Sequence, residues 1–178
     1  LSWGIVPTEH RPEWVPLFKS SRPPDTWETF PLALALMHDK AIFMHHDLGQ
    51  FVTNDQILSW TLALGYSLSY RAHAQAVAQD APREWLAWLD RLQKSVVARH
   101  LGAPLRDFTH NRAPLFATAG DPRREADDGV ITATYGDVKF ACNLGDIPRD
   151  VSLPTASPVT LPPYGFRAEA PGVTAGLA

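Results

Sequence analysis

Apolar residues along the chain follow two regimes. Up to about Gly102, helical patterns alternate with short apolar runs; after it, alternation with period two takes over. Leu1 to Val6 is a short apolar run that predicts a strand, followed by a long polar loop pinned by Pro7, Pro12 and Pro24. From Trp27 to Met37 the chain is apolar nearly all round, which predicts a buried helix of about three turns. Ala41 to Met44 is too short for a helix and predicts a parallel strand covered on both faces. It runs into His45-His46-Asp47. Thr53-Asn54-Asp55-Gln56 fits a capping box with Thr53 as the cap, and Ile57, Leu58, Thr61 and Leu62 recur at helical spacing. Gly65 is placed to end that helix in a left-handed conformation. Tyr66 to Tyr70 alternates as a strand and leads to Arg71 and His73.

The clearest helix starts at Asp80-Ala81-Pro82, with a stripe of Trp85, Trp88, Leu89, Leu92 and Val96. Asp90 and Lys94 are spaced for an i,i+4 ion pair. Arg99 and His100 fall in the last turn, where the helix dipole favours positive charge, and Gly102 is the stop. Beyond it, Val130 to Asn143 predicts a hairpin about Gly136-Asp137, since Gly first in a two-residue turn suits type II′. That register sets Tyr135 opposite Val138, Ala133 opposite Phe140 and Ile131 opposite Cys142, all on one face. Strand–helix alternation implies βαβ units and a parallel sheet, and the later strands imply a small antiparallel sandwich. Three such units are too few to close an eight-stranded barrel; they fit part of one, or part of an open sheet.

Composition narrows the class without naming a function. Hydrophobic residues make up 45% and charged residues 20% of the 178, a globular balance. A net charge of −3 gives no general pull toward nucleic acid or anionic lipid, and no apolar run is long enough to span a bilayer. A single cysteine, Cys142, excludes an internal disulfide framework and leaves localisation open.

Several stretches carry a resemblance: PLALALMHDKAIFMHHDLGQFVTNDQILSWTLALGYSLSY, EWLAWLDRLQKSVVARHLGAPL, GVITATYGDVKFACNLG and LPPYGFRAEA. Together they resemble the end of bacterial barrel glycoside hydrolases, whose last β/α units precede a C-terminal β-sandwich. Asn143-Leu144-Gly145 and Pro162-Pro163-Tyr164-Gly165-Phe166 match the strand-ending and lPpyGf motifs of that family type. The resemblance implies an α/β chain. Residues 1–103 would be the C-terminal portion of a (β/α)8 (TIM) barrel, and residues 104–178 a β-sandwich domain. It also implies a carbohydrate substrate, no cofactor, and a partner in the remainder of the barrel, supplied by upstream chain or replaced by self-association.

Barrel enzymes work at the C-terminal ends of their strands, which here hold Glu9, then His45-His46-Asp47, then Arg71 and His73. Glycoside hydrolysis usually needs two carboxyl groups, and Glu9 and Asp47 are the carboxylates at these positions: Asp47 suits orienting a sugar hydroxyl before direct catalysis, and Glu9 suits an acid/base or a solvated loop residue. The resemblance implies that a catalytic carboxylate lies on an earlier strand, outside this chain. His45 and His46 are adjacent, so a strand directs them to opposite faces and only one points into a site. Arg71 suits a carboxylate or acidic sugar, or a rim salt bridge; His73 lies beside it. Trp14 and Trp27, with Trp3, flank the first loop and suit stacking on a sugar, whereas Trp60, Trp85 and Trp88 fit a core. Two alternatives stand beside a glycosidase: a non-catalytic carbohydrate-binding or scaffolding segment, and a metal-dependent barrel hydrolase using His45 or His46 with Asp47. The His-His-Asp spacing matches no strong metal motif, so no metal is assigned.

Overall fold

The computed structural model describes residues 32–44, 52–70, 72–110, 113–114, 129–153 and 158–177. The first helix among the described residues, α1, spans Leu32–Met37. The helical period puts Leu34 and His38 on one side and Leu36 and Met37 on the other. Leu34 and His38 are buried; Leu36 and Met37 are exposed. The expectation of a helix buried all round is therefore corrected: only the side turned to the rest of the chain finds a partner. The stretch from Trp27 to Pro31 and the Leu1 to Val6 strand lie outside the described residues.

Two predicted strands meet after α1. Ser67 N–H donates to Phe43 O at 2.8 Å, and Met44 and Ser67 form a parallel bridge. The expected pair of parallel strands, 41–44 and 66–70, is corrected to a single bridge, and 41–44 is not covered on both faces, since Ile42 and Met44 are exposed. Between them lies α2, Asp55–Ala63. Its N-cap is Asn54, not Thr53: the Asn54 side chain accepts from Ile57 N–H at 3.0 Å. Asn bonds backbone N–H as readily as Thr, so the cap moves one residue along and the capping box is not formed as predicted. The other end agrees with the sequence. Gly65 has φ +65°, its N–H donates to Leu62 O at 3.0 Å, and Tyr66 N–H donates to Thr61 O at 2.9 Å. This is a Schellman ending.

A short helix α3, Ala74–Val77, leads into α4, Asp80–Leu92. Pro82 sits in the first turn of α4, where its missing N–H costs nothing. Leu89 and Leu92 are buried, while Trp85 and Trp88 are half-buried and stacked with centroids 5.2 Å apart. The Lys94–Asp90 pair forms at 2.7 Å. A π turn, Gln93–Val97, then widens the helix before α5, Ala98–His100. The widened turn holds Val96 and Val97, both of which are buried. Gly102, at φ +76°, ends the run.

The strands are β1 Leu105–His110, β2 Ala113–Pro114, β3 Val130–Tyr135, β4 Val138–Asn143, β5 Arg149–Val151, β6 Val159–Leu161, β7 Phe166–Ala170 and β8 Val173–Leu177. Among the described residues, an open antiparallel six-stranded sheet runs β2-β1-β3-β4-β7-β8, and β5-β6 make a two-stranded sheet. The β3–β4 register agrees with the sequence: Tyr135↔Val138, Ala133↔Phe140 and Ile131↔Cys142. Gly136 has φ +60° while Asp137 does not share the left-handed region, as a type II′ turn requires. The face bearing those six residues is buried against α1, α2, α4 and the π turn in one continuous apolar core. The opposite face is covered at one end, where Val130 and Ala141 pack on Val151 and Leu161 of the smaller sheet and on Leu153 just after β5.

Candidate functional site

Of the residues singled out for chemistry, Glu9, Trp14, Trp27, His45, His46, Asp47 and Arg71 lie outside the described residues; His73 is described and exposed. What the fold does bring together is the chain on either side of them. Met44, which precedes His45, is bridged to Ser67. Val52, on the far side of the same interval, donates its N–H to Ser69 O at 2.9 Å. The residues on either side of the interval 45–51 thus both contact the segment 67–69, just ahead of Arg71. His73 starts α3, its carbonyl accepting from Val77 N–H at 3.0 Å. Among the described residues, no group of three or more His, Cys, Asp and Glu side chains is placed to hold a metal ion. Likewise, no described helix is long and apolar enough to cross a membrane.

Of the two most highly organised polar sites, sequence reasoning missed the first and read the second only as motifs. His38 is buried at the end of α1, its Nδ1 2.5 Å from Ala103 O and its Nε2 2.8 Å from Gly65 O. Its ring lies 4.4 Å from that of Tyr135 and 5.7 Å from that of His100. The Tyr135 hydroxyl donates to Ala63 O at 3.0 Å, and burial holds its phenol well above its usual range. His100 is buried with neither ring nitrogen hydrogen-bonded. Burial first, and the charge of His38 second, push it down to about 3. A ring in that state is neutral, so the expectation that His100 adds positive charge at the helix end is corrected. The pattern held the signal: His100 extends the Leu89, Leu92, Val96 stripe at helical spacing.

The second site explains the two matched motifs. Asn143, buried at the end of β4, donates through Nδ2 to Ile147 O at 2.7 Å and Pro162 O at 2.9 Å. Its Oδ1 accepts from Gly145 N–H at 3.0 Å, and its own N–H donates to Gly165 O at 2.8 Å. Tyr164 takes φ +57°, and its N–H donates to Gly145 O at 3.1 Å. Gly165 is obligatory, because a Cβ there would lie 2.6 Å from Pro162 Cδ and 2.8 Å from Leu177 O. Tyr164 O in turn accepts from the Ser59 hydroxyl of α2. The Asn-Leu-Gly and Pro-Pro-Tyr-Gly-Phe motifs are thus one clamp that fastens the sheet to α2. Its polar groups are consumed by backbone partners, which makes it structural rather than catalytic.

Cys142 is buried, and burial raises its thiol, so it lacks the thiolate that nucleophilic or metal chemistry needs. Trp60, Trp85 and Trp88 pack on the main core as expected. Comparison of the chain with models of known families, with curated proteins and with solved structures finds no match.

Proposed function

We propose that this chain is the C-terminal part of a (β/α)8-barrel glycoside hydrolase, supplying the last β/α units and the β-domain behind them. The observation that carries the reading is a single parallel bridge, Met44 to Ser67, which joins the chain on either side of α2 as the first contact of a β-α-β unit would. The Ser59 hydroxyl of α2 in turn donates to Tyr164 O, ahead of β7. The surroundings of the bridge add support. Phe43 packs into the core while its neighbours Ile42 and Met44 are 64% and 54% exposed, and Leu36 and Met37 are exposed nearby. Parallel strands are normally covered on both faces, and a further β/α unit is the kind of element that covers such side chains. In this reading Asp47 and Glu9 are the carboxylates, His45 or His46 and Arg71 with His73 contact the sugar, and Trp14 and Trp27 stack on it.

The test compares the chain alone with the chain joined to preceding β/α units, on a panel of aryl glycosides. Hydrolysis by the longer protein and none by the chain alone is the expected outcome. A soluble monomer of the chain alone that hydrolyses these substrates overturns the proposal, and so does an inactive longer protein that folds and binds no oligosaccharide.

A further inference from the structure

We propose that His38 is a proton-dependent latch between the helices and the sheet, holding Gly65 and Ala103 together when its ring carries both protons and releasing one of them when it loses a proton. The latch is independent of the glycosidase reading.

Its partners set the requirement. Both nitrogens of this ring face backbone carbonyl oxygens, Ala103 O at 2.5 Å and Gly65 O at 2.8 Å. A carbonyl only accepts, so each bond requires an N–H, and a neutral imidazole has one. In the neutral form a nitrogen lone pair is pressed against an oxygen lone pair at one end, in a site where the His38 side chain is closed to water. In the doubly protonated form both bonds are made, and both are charge-assisted.

The neighbours favour placing one charge here. Tyr135, from β3, lies 4.4 Å away by ring centroids, within range for a cation against an aromatic face. His100, from α5, is 5.7 Å away, neutral and without a hydrogen-bond partner, whereas both nitrogens of His38 face acceptors. Immediately after His38 in the chain, Asp39 and Lys40 pair with each other at 2.6 Å. Behind Tyr135 stand Tyr66 and Cys142, both held in their neutral forms by burial. Phe43, 6.1 Å away, closes the remaining face.

The two segments joined by the latch are mechanically distinct. Gly65 is the left-handed residue that turns α2 into the 66–70 segment, and Ala103 immediately precedes Pro104 and β1. A Cβ at Gly65 would sit 2.6 Å from His38 Nε2, so the backbone and the ring are fitted to each other. Releasing either carbonyl frees a junction between layers, whereas the Tyr135–Ala63 bond beside it keeps its proton and stays closed.

Side-chain nitrogen NMR of the full chain, recorded through a pH titration, reads the state of His38 directly. Amide exchange at Gly65, Tyr66, Ala103 and Gly136, corrected for intrinsic base catalysis, reads the junctions. The expected result is a ring protonated at both nitrogens in acid. Corrected exchange should rise roughly tenfold at one junction as that ring titrates, the equivalent of one lost charge-assisted bond. The rise persists in His100→Leu and vanishes in His38→Gln; should the latter not fold, the wild-type titration decides alone. A single neutral tautomer at every pH, exchange that ignores the titration, or a rise abolished by His100→Leu would each overturn the latch.

Discussion

Burying a histidine without a hydrogen-bond partner sets folding in competition with protonation. His100 is such a residue, held near 3 in the folded chain against an ordinary value of 6.5. Because the folded value is depressed, the unfolded chain takes up the proton first. The stabilisation is whole above pH 6.5 and is lost as pH falls from there toward 3. Between pH 6.5 and 5 this one group should remove about 1.5–2 kcal/mol. Urea denaturation of wild type and His100→Leu across that interval should show a shallower acid slope in the variant; parallel slopes would mean that His100 is protonated in the fold. Asn143 sets a different kind of residue-scale demand, since its amide serves carbonyls on both sides of the clamp. Asn143→Ala leaves those acceptors and the Gly145 N–H without their partner and should cost about 3 kcal/mol or more. A thermal melt indistinguishable from wild type would show that the clamp contributes little.

Elements were legible where two independent local signals agreed. The β3–β4 hairpin had both a turn residue with the required positive φ and an alternation with one register, and it forms as written. The buried face makes a further demand: Phe140 is fully buried between Ala133 and Ala168, so Phe140→Ala should cost about 3–5 kcal/mol, measured by denaturant titration. A loss under about 1 kcal/mol would mean the cavity collapses freely. The end of α2 was legible at Gly65 for the same reason, but its start was not, because Thr53 and Asn54 are both capping residues and only geometry chooses between them. The π turn has no sequence signature of its own, whereas the burial of His100 was readable from its place on the Leu89, Leu92, Val96 stripe. Buried His38 was hidden for another reason: a polar residue after a helix reads as a break, and its two carbonyl partners lie 27 and 65 residues away. Of the candidate catalytic and sugar-binding residues, all but His73 lie outside the described residues, so their position along the chain was legible and their mutual geometry is not on view.

At the scale of the whole molecule the proposed chemistry rests on Asp47, between the bridged strand and α2. In the active protein Asp47→Asn keeps the shape and removes the charge, so kcat/KM should fall about tenfold or more, a loss above roughly 1.4 kcal/mol, with thermal stability unchanged. Wild-type kinetics in that variant would remove Asp47 from the site, and a lower melting temperature with normal kinetics would assign it to the loop. The clamp has a consequence in time as well as in space. Ser59 and its partner Tyr164 are separated by 105 residues, and central strand β4 receives its second neighbour only from β7. As the chain leaves the ribosome, α2 is complete long before the surface that buries it exists. Local helix formation is fast, but closing a loop of that length carries an entropic cost that native contacts offset only at the end. Folding therefore waits for the last strands, and a nascent chain stalled before Tyr164 presents α2's apolar side to whatever holds unfolded chains.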